Sequence, residues 1–169
     1  HTFPDLLFLK VLLSYNGTTS LEWFANCKFP ELKDLTISGF GRAVLKVNDV
    51  HAMKKTLAAM PNLEVLTLKG LNIELGPFKE ELSKVQLLRV LFYNESVTTF
   101  SSSTFLKKLV ISHMNVHECN LILSQMKNIT HLVMRMDMVN RQSDLLTEMT
   151  TNTSIISLDV EGDPLNARY

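Results

Sequence analysis

The stretch HMNVHEC (residues 113–119) gathers the side chains with the most chemistry to offer: His113, His117, Glu118 and Cys119. Histidines four apart on a helix share a face and can hold zinc. Here that spacing does not apply. His113 closes a strand-like run, LKKLVIS, and His117 opens the next segment. The chain has no H-E-x-x-H, no C-x-x-C, no glycine-rich phosphate loop and no G-x-S-x-G elbow. Glu80 and Glu81 suit the solvated face of a helix. The two cysteines, Cys27 and Cys119, lie far apart and suit buried thiols acting as small hydrophobes rather than a disulfide framework. No catalytic residue, metal site or cofactor is therefore expected, and the chemistry left is that of recognition.

Charge narrows the partner. Lys plus Arg and Asp plus Glu number 17 each, so the net charge is zero. A neutral chain carries no broad field for nucleic acid or an anionic membrane. No run approaches the length needed to span a bilayer. The early apolar stretch LLFLKVLLS carries Lys10 and lacks the basic start and small-residue cleavage site of a secretory signal.

The elements that must position a recognition surface come from one pattern, L-x-x-L-x-L. It occurs at Leu6-Leu9-Val11, Leu32-Leu35-Ile37, Leu63-Leu66-Leu68, Leu88-Leu91-Tyr93, Leu106-Leu109-Ile111, Ile129-Leu132-Met134 and Ile155-Leu158-Val160. The intervals between first residues are 26, 31, 25, 18, 23 and 26. A period in this range indicates a solenoid of stacked units. Phe3-Pro4-Asp5-Leu6 and Phe29-Pro30-Glu31-Leu32 are nearly identical, and Met60-Pro61-Asn62-Leu63 is close. Proline there ends any helix and fixes the approach to the strand. Helices are expected over 18–27, 48–60, 77–85, 116–126 and 143–152. The second has an apolar stripe of Val50, Met53, Leu57 and Met60. The short fourth interval, through β-branched SVTTFSSSTF (96–105), predicts an extended link.

Taken together the chain resembles the leucine-rich repeat family over nearly its whole length. The resemblance implies an α/β fold: a leucine-rich-repeat solenoid with a curved parallel sheet of about seven strands and convex helices. It departs from the family at the ninth position, where Ser14, Phe40, Leu71, Ser96, Met114, Asp137 and Asp163 replace the usual asparagine. Asn72 and Asn115 sit one place later. The irregular lengths are similar to those of intracellular F-box or nucleotide-binding immune-receptor repeats. The chain begins at His1, and residues 1–169 are taken as a single domain of a larger protein, with further domains or repeats N-terminal to it.

The resemblance also implies a function: binding a protein or peptide on the concave sheet face, as in substrate recognition or ligand sensing. Residues between the pattern leucines point outward. The expected contact set is Val65, Thr67, Lys69, Val90, Phe92, Lys108, Val110, His131, Val133 and Arg135. An apolar centre with a polar rim is the anatomy of a protein-binding surface. Phe8 and Leu12 of the first strand also point outward, at an open edge. Trp23 and Phe24 are expected in the packing of the first helix. An intracellular location is expected, with no membrane insertion. The N-x-S/T sites at Asn16, Asn94, Asn128 and Asn152 leave a secreted or cell-surface receptor domain as one alternative. An RNA-export or RNA-handling adaptor is the other.

Overall fold

The computed structural model describes residues 1–13, 21–44, 47–72, 75–91, 106–114, 128–136 and 157–162. The strands are β1 (Phe8–Leu13), β2 (Asp34–Val44), β3 (Val65–Asn72), β4 (Leu87–Leu91), β5 (Lys108–Met114), β6 (His131–Met136) and β7 (Ser157–Gly162). They pair in parallel and in chain order, β1 to β7. The arrangement is α/β-like, with few helices among the described residues: α1 (Glu22–Ala25) and α2 (Val47–Ala58).

The register explains why leucine dominates the pattern. Leu9, Leu35, Leu66, Leu88, Leu109, Leu132 and Leu158 lie level across the sheet. The next inward row is Val11, Ile37, Leu68, Val90, Ile111, Met134 and Val160. From Leu35 to Leu132 and from Ile37 to Ile111 these side chains are buried. Each contributes roughly 1.5–3 kcal/mol by leaving water. Among the side chains of these rows whose burial is described, Leu9, at the sheet edge, is half-buried.

One backbone device recurs where the strands begin. The carbonyls of Leu7, Lys33, Glu64, Gln86 and Lys107 each accept two N–H groups from the following strand's start, at 2.9–3.1 Å. The accepting residue is one past the first pattern position at Leu6, Leu32, Leu63 and Leu106, whereas in the fourth unit it is one past Val85, not Leu88. Just before it comes a tight turn, with Leu32 N–H on Phe29 O, Leu63 N–H on Met60 O and Val85 N–H on Leu82 O. Pro30 and Pro61 occupy the second place of the first two turns, where their fixed φ is favourable. Neighbouring turns are tied side to side: Asn62 Nδ2 donates to Pro30 O at 2.9 Å, and the Phe3 and Phe29 rings stack at 5.3 Å.

Behind the sheet, α2 buries Met53 and Leu57, with Met60 just after it, while Val50 is half-buried. The expected helix at 77–85 is absent. A 3₁₀ turn at Gly76–Phe78 is followed by further turns to Lys84. Three-residue hydrogen bonds there include Phe78 N–H to Leu75 O and Ser83 N–H to Glu80 O. A 3₁₀ path rises about 2.0 Å per residue against 1.5 Å for an α-helix, so it carries a short link further. Of the helix expected at 18–27, the described residues from Leu21 onward hold α1 alone. Phe24 is fully buried as expected, but Trp23 is half exposed. The segments at 96–105, 116–126 and 143–152 lie outside the described residues.

The link after β3 also packs ionic groups on α2. Glu81 Oε1 lies 3.6 Å from Lys54 Nζ with its side chain 10% exposed. Lys84 Nζ donates to Leu57 O at 2.8 Å.

Candidate functional site

The face opposite the leucine rows is built by three further rows. The first runs Phe8, Asp34, Val65, Leu87, Lys108, His131, Ser157. The second runs Lys10, Thr36, Thr67, Arg89, Val110, Val133, Asp159, and the third Leu12, Ser38, Lys69, Leu91, Ser112, Arg135, Glu161. Val65, Thr67, Lys69, Lys108, Val110, His131, Val133 and Arg135 therefore hold the outward register positions expected of them.

Val90 does not. It lies level with Leu68 and Ile111 and is buried. The inward pattern of β4 is Val85-Leu88-Val90, not Leu88-Leu91-Tyr93. The run LLRVL is apolar at almost every position, so alternation alone does not set its face. The backbone sets it: Gln86 and Leu87 N–H both bond Glu64 O. The outward positions of β4 are thus Leu87, Arg89 and Leu91, which the sequence reading missed. The signal was present in the spacing. Starting at Val85 gives intervals of 22 and 21 residues from Leu63 and to Leu106, in place of 25 and 18. Phe92 lies outside the described residues.

Exposure grades across this face. Val65, Leu87, Arg89, Val110 and Val133 are half-buried, and Lys69, Lys108 and His131 are exposed. Thr67 and Ser38 are almost covered, at 9%. Phe8 and Leu12, on the edge strand, are 69% and 57% exposed. Thr130 Oγ1 donates to Lys107 O at 3.2 Å and lies 2.9 Å from His131 Nδ1. The contact ties the His131 ring to the residue before it at the start of β6.

Of the zinc-like cluster, His113 lies in β5, while His117, Glu118 and Cys119 lie outside the described residues. Among the described residues no three His, Cys, Asp or Glu side chains come together. Cys27 is a buried free thiol whose Sγ lies 3.4 Å from Trp23 O. Among the described residues no helix is long and apolar enough to cross a membrane. No family model matches the chain, and no curated protein matches it.

Proposed function

We propose that the chain is a non-catalytic recognition module: a leucine-rich-repeat solenoid that grips a protein or peptide partner on its outward sheet face. The observation that carries this reading is the half-exposed aliphatic group Val65, Leu87, Val110 and Val133, set among Lys69, Arg89, Lys108 and His131. Unpaired aliphatic side chains ringed by polar ones suit a desolvating partner.

The family reading rests on recurrence. The same carbonyl-to-two-amides device begins five successive strands, and it follows the pattern residues in each case. Aligning the fourth unit on Val85 adds a further regularity. The tenth position counted from Leu63, Val85 and Leu106 is Asn72, Asn94 and Asn115, so the family's asparagine is displaced by one place in three consecutive units. Within this reading the module serves substrate recognition or ligand sensing in an intracellular setting.

A photo-crosslinking residue in place of Val110, with one in place of exposed Ala59 behind the sheet as control, tests the reading. Irradiation in the native source should give protein adducts at position 110 and not at 59. Equal labelling at both positions, or none at 110, would contradict it. Adducts to RNA would move the reading to an RNA-handling adaptor.

A further inference from the structure

The corrected register brings three cations into line. Lys69, Arg89 and Lys108 sit on β3, β4 and β5 in the third, second and first outward rows, one step along the strand axis for each step across. With strands about 4.8 Å apart and alternate residues about 6.6 Å apart, neighbours on this diagonal are about 8 Å apart at the backbone. Val65 and Leu87 form an adjacent pair on one side of the diagonal, and Val110 and Val133 form another on the other side. Arg135 holds the register position level with Lys69, Leu91 and Ser112.

None of the twelve outward positions of β3 to β6 is Asp or Glu. The whole chain is neutral, so this bias is local. Among the described residues, Lys69, Arg89 and Lys108 have no ion-pair partner; the ion pair there is Lys54 with Glu81, behind the sheet. Arg89 is also half-buried, so part of its hydration is already lost, and an incoming carboxylate gains more from it than from a fully solvated cation.

We propose that the partner segment is an acidic peptide with flanking aliphatic side chains, laid along the Lys69–Arg89–Lys108 diagonal. This rests on the reading of the outward face as the partner surface. Carboxylates at alternate positions of an extended peptide lie about 6.6 Å apart, within reach of flexible lysine and arginine heads at this spacing. The residues between them point away from the sheet, so the aliphatic contacts to Val65 and Leu87 on one side, and to Val110 and Val133 on the other, come from residues flanking the acidic run. Nucleic acid fits less well. The cations lie among aliphatic side chains, and His131 is the one ring among the described outward residues of β3 to β6 on which a base could stack.

The test is selection from a displayed library of random linear peptides against the whole chain, followed by titration of the selected peptides. Arg89→Ser, Lys108→Ser and Val110→Asp variants are compared, each checked for an unchanged thermal melt. Lys108 is exposed, so its variant keeps the test open if Arg89→Ser unfolds. The expected peptides carry Asp or Glu at alternate positions, with Leu, Ile or Val flanking the acidic run. They should bind roughly tenfold more weakly to Arg89→Ser or Lys108→Ser, and more weakly in high salt. Selection of neutral apolar peptides that are lost with Val110→Asp but indifferent to Arg89→Ser and Lys108→Ser would overturn the acidic assignment and leave the face standing. No peptide sensitive to Val110→Asp would overturn both. Single-stranded RNA binding in parallel titrations, with no acidic peptide bound, would also overturn the proposal.

Discussion

Gly70 holds φ at +64°, a region that favours glycine. It faces Gly39, and a Cβ at position 70 would overlap the Gly39 carbonyl oxygen. Both the dihedral and the close approach therefore act against any larger residue. Gly70→Ala should cost about 1–3 kcal/mol or more in denaturant melts; a neutral result would mean the two backbones are further apart. Behind the sheet, Lys84 shows how burial sets a charge. Burial pushes its ammonium below the ordinary 10.5, and the nearby Glu81 carboxylate pulls it partly back. Glu81→Gln should therefore lower the Lys84 pKa further, read from its side-chain carbon shift in an NMR titration; a rise would reverse the assigned cause. The stability consequence has a definite sign. Between the lowered folded value and 10.5 the unfolded chain holds this proton more tightly than the folded one, so stability rises with pH in that window. Wild type should accordingly gain on Lys84→Met as pH climbs toward 10.5, and a relative loss would contradict the linkage.

At the scale of the element, β4 is the instructive strand. Its neighbours were legible because leucine or isoleucine stands at each inward position and smaller or polar residues stand between. The β4 run is apolar on both faces, and two overlapping frames share Leu88. The more even spacing from Val85 favours one frame, and the hydrogen bonds from Gln86 and Leu87 to Glu64 fix it. The consequence for the candidate site was direct: Val90 moved into the core, and Leu87 and Arg89 took its place outside. A pair of truncations checks this register. Val90→Ala should cost about 2 kcal/mol, since it removes two buried carbons and leaves a cavity. Leu87→Ala, half-exposed, should cost about 1 kcal/mol or less. The reverse order would put β4 out of register by one. Leu66→Ala and Leu109→Ala, in the fully buried row, should each cost roughly 2–5 kcal/mol. The linking segments were less legible than the strands. Helix patterns at 18–27 and 77–85 satisfied local rules, but isolated short helices are marginal, and short links between parallel strands favour turns and 3₁₀ geometry.

At the scale of the molecule, a neutral chain is divided into a leucine-filled side, where the inward rows pack, and an outward face whose central strands carry cations without acids. The proposed solenoid function depends on that division: the inward rows fix the strands, and the fixed strands hold Val65, Leu87, Arg89, Val110 and Val133 in one surface. Phe8 and Leu12 lie on the same face but at its edge in β1, four strands from Val110 in β5 in sheet order, so they are separable from it by mutation. The most direct measurement is amide chemical-shift mapping of the labelled chain titrated with the selected peptide. The predicted result is a contiguous set of shifts at Thr67, Arg89, Val110 and Val133, with α2 and the 76–84 turns unmoved. Shifts confined to α2, to those turns or to the β1 edge would contradict a partner surface on the sheet.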